Sequence, residues 1–160
     1  NLSLSFLIDV RYGGVMYSGT VSDLRVNGMA EETIGKNRTD IVDKGVKQDG
    51  TENTTAITPY QFWSNNYSSK VSEANVFDAT FVKLREMVLS YQMPQRWFKN
   101  CFIGSLALGV EGRNLWLMKS NVPHIDPETN IFGPSAVGSG VEYSAIPTTR
   151  SWGFNIKLTF

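Results

Sequence analysis

The segment Arg150-Ser-Trp-Gly-Phe-Asn-Ile-Lys-Leu-Thr-Phe160 places Trp152, Phe154, Ile156, Leu158 and Phe160 on one side of an extended chain. Ser151, Gly153, Asn155, Lys157 and Thr159 fall on the other. Successive side chains of a strand point to opposite faces, so this period of two describes a ribbon that is greasy on one face and wet on the other. Apolar residues at every second place up to the aromatic Phe160 are what the closing strand of a transmembrane β-barrel requires, with lipid outside and water inside. One such ribbon fits a soluble β-sandwich almost as well, so the rest of the chain must decide.

Three further segments carry the alternation. In Ser3 to Arg11 the apolar face is Leu4, Phe6, Ile8 and Val10, with Leu7 the exception on the other. In Ser105 to Arg113 it is Leu106, Leu108 and Val110, opposed by Ser105, Ala107, Gly109, Glu111 and Arg113. A face of small or charged residues suits a wet lumen. Phe81 to Met93 is less regular, because Met87, Leu89, Tyr91 and Met93 share a face with Lys83 and Arg85. A straight strand rising about 3.3 Å per residue and tilted by roughly 40° climbs ~25 Å from Met93 to Lys83, which brings Lys83 to the far interface and lets Arg85 snorkel towards it. The alternative is a bulge near Glu86 that switches the phase.

Connection lengths point the same way. Residues 12 to 79 separate the first two strands, 94 to 101 the next two and 118 to 149 the last two. Long, short, long is the order of extracellular loop, periplasmic turn and extracellular loop. Trp116 and Trp152 then lie near the outer interface and Tyr91, Trp97, Phe98 and Phe160 near the inner one, as two aromatic girdles. The expected fold is therefore all-β: the last four antiparallel strands of a large transmembrane β-barrel, over about 2–12, 80–94, 102–117 and 150–160, with long extracellular loops carrying short helices.

Composition narrows the function without naming it. The 160 residues are 41% hydrophobic and 19% charged, with zero formal net charge. That neutrality argues against nucleic acid, whose binders carry basic patches. No apolar run approaches the roughly 18 residues of a spanning helix. The single cysteine, Cys101, has no partner for an internal disulfide. The absence of an initiator Met and signal sequence suggests the C-terminal piece of a longer precursor.

Several blocks resemble the SusC/RagA family of TonB-linked outer-membrane proteins of Bacteroidetes. They are Phe77-Asp-Ala-Thr-Phe-Val-Lys-Leu-Arg-Glu-Met-Val-Leu-Ser-Tyr91, Gly112-Arg-Asn-Leu-Trp116, His124-Ile-Asp-Pro-Glu128 and Ala145-Ile-Pro-Thr-Thr-Arg150. Asp40-Ile-Val, Val46-Lys-Gln-Asp-Gly50, Asn53-Thr-Thr and Thr58-Pro-Tyr-Gln-Phe-Trp63 add to the likeness. The resemblance implies that residues 1–160 are the C-terminal part of a TonB-dependent receptor barrel of roughly 22 strands. It further implies import of glycan or peptide fragments across the bacterial outer membrane, with a SusD-like lipoprotein at the extracellular mouth and the TonB complex pulling from the periplasm. The plug, the TonB box and about eighteen strands would precede Asn1. A siderophore or cobalamin receptor fits these blocks less well.

Loops on a rigid scaffold usually carry recognition. Val21 to Ile34 has apolar residues at helical spacing behind a possible cap at Ser22, weakened by Gly28. Thr58 before Pro59 reads as an N-cap with proline in the first turn, opening a short helix through Tyr60, Phe62, Trp63 and Tyr67. Tyr60, Trp63 and Tyr67 are the candidate substrate-binding residues, because aromatic rings suit sugar faces; the alternative role is the loop's own small core. Phe154, Ile156, Leu158 and Phe160 are the candidate assembly signal for barrel insertion.

Catalysis and cofactors find little support. His124, the one histidine, lies beside Asp126 and Glu128 in a Pro-flanked loop, with no nucleophile elbow and with Cys101 in a turn expected on the other side of the membrane. Zinc spacing is missing, and Asp126, Glu128 and Asn130, or Asp49 and Glu52, depart from the EF-hand pattern and read as solvated turns. Gly138-Ser-Gly140 opens no helix after a strand. Asn37, Asn53 and Asn66 sit in glycosylation sequons without meaning in a bacterial outer membrane. The expectation is no enzyme, no metal and no cofactor. Asp9, Arg11, Glu86, Glu111 and Arg113 are expected to form salt-bridge ladders on the lumen face. The competing reading is a soluble extracellular β-domain that binds carbohydrate through loop aromatics.

Overall fold

The computed structural model describes residues 1–34, 39–68, 71–99, 102–133 and 139–160, and side chains throughout these except at 66–68. Cys101, Asn37 and Gly138 lie outside the described residues, as do the side chains of Asn66 and Tyr67. In chain order the elements are β1 (Leu2–Arg11), β2 (Val15–Ser18), α1 (Gly19–Val26), β3 (Ile41–Val42), β4 (Ala56–Ile57), α2 (Pro59–Phe62), β5 (Val76–Asp78), β6 (Phe81–Gln92), β7 (Ser105–Ser120), β8 (Val141–Glu142) and β9 (Ser151–Thr159). The chain divides into two compact units. One comprises Asn1–Tyr12, Thr80–Ser120 and Thr148–Phe160; the other comprises Gly13–Ala79 and Asn121–Pro147.

The first unit is a four-stranded sheet in the order β1-β6-β7-β9, antiparallel throughout. Residues directly opposite in an antiparallel pair share a face, so the registers assign every side chain. On one face run three cross-strand rows: Leu2, Tyr91, Leu108 and Ile156; Leu4, Leu89, Val110 and Phe154; Phe6, Met87, Gly112 and Trp152. On the other run Ser3, Ser90, Gly109 and Asn155; Ser5, Val88, Glu111 and Gly153; Leu7, Glu86, Arg113 and Ser151. The first face is apolar in every place but Gly112. The second is small or polar in every place but Val88 and Leu7. Gly112 is fixed by a close approach: a Cβ there would meet the Trp152 ring at 2.9 Å and Leu115 Cδ2 at 2.6 Å, so only hydrogen lets the indole lie over the strand.

β6 corrects the straight-strand expectation. Opposite the consecutive residues Leu7 and Ile8 stand Glu86 and Leu84, so both registers step over Arg85. The shift is a bulge, and it switches the phase. Val82 and Leu84 thereby join the apolar face, while Lys83 pairs with Asp9 and Leu117 on the other. Lys83 is 3% exposed and donates from Nζ to Thr148 Oγ1 at 3.0 Å. Neither cation snorkels from the apolar face, because each has polar partners on the opposite side. Arg85 makes an ion pair with Asp9 of β1 and donates from Nη1 to Asn114 Oδ1 at 3.1 Å. Asn114, whose positive φ of 51° is one that Asn tolerates better than most residues, donates in turn to the Thr149 carbonyl at 3.1 Å. One guanidinium thus ties together β1, β7 and the approach to β9.

The strands differ from expectation at their ends as well. β7 continues to Ser120, past the anticipated 117, and beyond a second irregularity between Val82 and Lys83 it pairs Lys119 with Val82 and Ser120 with Phe81. Trp116 and Trp152 lie at the loop ends of their strands, and Tyr91 lies at the turn end, where Phe102 and Phe160 stack with centroids 5.8 Å apart. The sheet does not close: β1 and β9 are its edges. No described helix is long and apolar enough to cross a membrane, a fact that says nothing of strands.

Candidate functional site

The second unit is built from Gly13–Ala79 and Asn121–Pro147. Its core joins Met16, Ala79 and Val122, with Phe77 and Ile125 packed against them. β2 lies between β5, antiparallel, and β8, parallel. The parallel pair joins residues more than a hundred positions apart, so the two segments form one structure.

Glu142 on β8 is the deepest acidic group, 1% exposed. Its carboxylate accepts from Ser18 Oγ at 2.6 Å, Thr20 Oγ1 at 2.6 Å and the Ala145 N–H at 3.1 Å. A buried carboxylate needs its lone pairs filled. Ser18 also caps α1, accepting from the Val21 N–H at 3.1 Å. The cap is thus Ser18, and Ser22 lies inside the helix; α1 ends at Val26, before Gly28 at a φ of 68°. Tyr143 covers Gly19, where a Cβ would come within 2.1 Å of its ring. A hydrogen bond with the Asp23 carboxylate, and that group's charge, push the Tyr143 phenol above its ordinary range.

Arg25, in the last turn of α1, organises the other half. It donates to Glu32 Oε1 at 2.5 Å, the Ala74 carbonyl at 2.6 Å and Asn75 Oδ1 at 2.9 Å. Its guanidinium lies 4.6 Å from the Trp63 ring centroid and 5.3 Å from that of Phe77, within cation–π range of both. His124 Nε2 is 3.2 Å from Glu32 Oε2. Burial pushes the Glu32 carboxyl up, but hydrogen bonds from Arg25, its own backbone and His124, with the Arg25 charge, hold it below the usual carboxylate range. The sole histidine is therefore engaged in bridging the two loop segments.

Of the predicted contact residues, Tyr60 and Trp63 fall on one short helical stretch and Tyr67 lies outside the described side chains. Thr58 caps α2 and Pro59 fills the first turn, as the sequence indicates, and Gln61 closes a reciprocal box with the cap. Tyr60 is 61% exposed and borders a shallow depression of about 400 Å³ with Val26, Asn27, Gly28, Thr33, Thr58 and Pro59. Trp63 is only partly exposed, set edge-on to Phe62 at 5.2 Å and beneath Arg25. Arg25 and Glu142 were not singled out from sequence. Besides Glu32 and Ala145, 7 and 3 positions on, their hydrogen-bond partners lie 49 to 124 positions away.

Asp49 and Asp126 each accept a backbone N–H two residues ahead, at 3.0 and 3.2 Å, as Asx-turns do. Among the described residues no group of three or more His, Cys, Asp or Glu is placed to hold a metal. On the polar face of the sheet, Arg113 lies 3.5 Å from Glu86 and 3.8 Å from Glu111, a ladder across β6 and β7. On the apolar face Phe6, Leu108 and Phe154 are 66%, 37% and 84% exposed. They share no dry interior.

No family model matches the chain. A stretch of 95 residues, 57% of the chain, is 24% identical to TonB-dependent receptor P3 of Formosa agariphila. Solved structures of the RagAB peptide importer, in its open-open and closed-closed states, match 99% of the chain with a TM-score of 0.60 and 17% identity. The fold is one that RagAB shares. A further structure, of the RagAB peptide transporter, matches with the same TM-score at 20% identity. The chain spans 9% of the Formosa receptor and 16% of the RagAB chain, so it is similar to a small part of each.

Proposed function

We propose that these residues form part of the wall of a TonB-dependent outer-membrane importer of the SusC/RagA kind. In this reading the apolar rows of the sheet face lipid, the Glu86–Arg113–Glu111 face lines the lumen, and the second unit lies at the extracellular mouth. The cargo is glycan or peptide fragments, with a SusD-like lipoprotein covering the mouth and the TonB complex acting through parts of the protein outside this chain. Residues 1–160 then supply neighbouring strands near the end of the barrel.

The observation that carries the reading is the exposure of three continuous apolar rows across all four strands. A soluble sandwich would bury such a face against a second sheet, and no described residue does so. Uncovered greasy surface of this extent demands a partner or a membrane. Both edges, β1 and β9, also present unpaired backbone groups that continuing strands of a barrel would satisfy.

Tyr60 is the cargo contact best supported within this reading, since it stands exposed on a capped helix beside a depression; Trp63 and Tyr67 are the other proposed contacts. Phe154, Ile156, Leu158 and Phe160 are proposed as the signal read by the insertion machinery, on the strength of their unbroken alternation. Membrane fractionation of the full-length protein tests both the location and the signal. The expected result is protein in the outer-membrane fraction, released only by detergent, and present at a reduced level in the Phe160→Ser variant. Native protein in the aqueous phase would overturn the membrane reading, and an unchanged level in the variant would overturn the signal. In cells with normal membrane levels, Tyr60→Ala should slow uptake of the cargo several-fold; uptake equal to wild type would remove Tyr60 from the contact surface.

A further inference from the structure

Two features at and near the β6–β7 hairpin deepen the import reading. One is a groove of about 530 Å³ at the turn, lined by Gln95, Arg96, Phe98, Lys99, Ile103 and Gly104. The residues Gln95–Phe98 form a 3-10 turn that Lys99 ends. Side chains three apart eclipse in that geometry, so Arg96 and Lys99 fall on one side. Both are exposed, and neither makes an ion pair with a described residue. Two adjacent cations form a site for an anion, and Arg in particular matches a phosphate with paired N–H donors. Phe98 and Ile103 give the same groove an apolar wall.

The other is a depression of about 350 Å³ on the apolar face of the sheet, bordered by Leu2, Leu89, Tyr91, Leu108, Val110 and Phe154. These residues belong to the two apolar rows nearest the turn. Rows on one face are about 6.6 Å apart along the strands, so the depression begins within about 10 Å of the turn. A free inorganic anion would satisfy the cations but leave the depression empty. A hydrocarbon chain alone would fill the depression but leave the cations bare.

We propose that this hairpin holds one phospholipid, its phosphate on Arg96 and Lys99 and an acyl chain in the depression between Tyr91 and Phe154. The inference rests on the membrane reading above for the setting of the sheet. Basic side chains at the end of a membrane-spanning element commonly recognise lipid head groups, and here the adjoining apolar seat selects a lipid over a soluble phosphate. Trp97, 60% exposed in the same turn, suits the head-group level.

The test uses the full-length protein, purified from outer membranes in mild detergent and examined by native mass spectrometry with phosphorus analysis of extracted lipid. One retained phospholipid per protein is expected. The double variant Arg96→Gln, Lys99→Gln should retain at least fivefold less, as should Val110→Trp, which fills the seat; the single variant Lys99→Gln serves should the double variant reach the membrane poorly. Millimolar inorganic phosphate should not displace the lipid. Equal retention in the variants would overturn the proposal, and displacement by inorganic phosphate would reduce the site to one for a free anion. Wild-type protein missing from the membrane fraction would instead refute the importer reading, and this inference with it.

Discussion

Lysine in place of Phe154 is expected to reduce the full-length protein in the outer membrane by tenfold or more, whereas lysine at the next residue, Asn155, should leave it near the wild-type level. The two sites are adjacent in sequence but belong to opposite faces: Phe154 ends the row Leu4, Leu89, Val110, and Asn155 ends the row Ser3, Ser90, Gly109. A lysine on the lipid face at the bilayer midplane costs about 2–4 kcal/mol, and on the lumen side it meets water. At about 1.4 kcal/mol per factor of ten, that cost corresponds to roughly one and a half to three decades in the inserted fraction. Phe154 lies in the middle one of the three apolar rows, the place where the penalty is greatest. Because it also belongs to the proposed insertion signal, Val110→Lys is the companion measurement: it shares the row but lies on β7. Quantitative blotting of membrane fractions reads all three variants. Equal losses for Phe154→Lys and Asn155→Lys would mean that the faces are assigned wrongly. A loss for Phe154→Lys with none for Val110→Lys would leave the signal standing and remove the lipid.

The sheet was largely legible because its information is local. In β1, β7 and β9 each residue's face follows from its parity, and the structure keeps that parity from Leu2 to Val10, from Leu106 to Gly112 and from Trp152 to Leu158. β6 was misread in its first half because parity is blind to an inserted residue. The trace was nevertheless there: Lys83 and Arg85 fell in phase with Met87, Leu89 and Tyr91, a conflict that the bulge at Arg85 resolves. In the loops the same distinction holds. The cap at Thr58, with Pro59 in the first turn, is local and readable. The cap of α1 was not, because Ser18 is buried and shared with Glu142, 124 positions on. β2 and β8 are too short, at 4 and 2 residues, for any period to show. The proposed cargo aromatics divide accordingly: exposure at Tyr60 is a property of its helix, whereas the partial burial of Trp63 depends on Arg25 from a distant element.

Replacing Glu142 with leucine is expected to loosen the loop unit by several kcal/mol while the sheet keeps its order. Leucine keeps much of the volume, so the loss is one of hydrogen bonding. The Ser18 and Thr20 hydroxyls and the Ala145 N–H all donate to this carboxylate, and each stranded donor costs about 1–3 kcal/mol when buried. The hydroxyls recover part of this by rotating, which places the total on the order of 3–5 kcal/mol. Glutamine retains one acceptor oxygen and should cost less than half as much. The damage spreads along known paths: Ser18 caps α1, Thr20 Oγ1 also accepts from the Ser144 N–H at 2.6 Å, and Glu142 is itself the end of the parallel pairing between β8 and β2. Hydrogen exchange in the full-length protein should therefore accelerate over residues 15–26 and 141–146 and remain slow over 81–92 and 105–113. Protection in the leucine variant equal to wild type would show that the carboxylate is dispensable to the loops. If protection were lost through the sheet as well, the two units would fold as one. Selective loss has a functional consequence under the importer reading, because α1 carries Arg25 and Arg25 packs on the Trp63 ring. An importer with an intact wall and a disordered mouth would reach the membrane normally and yet take up its cargo poorly.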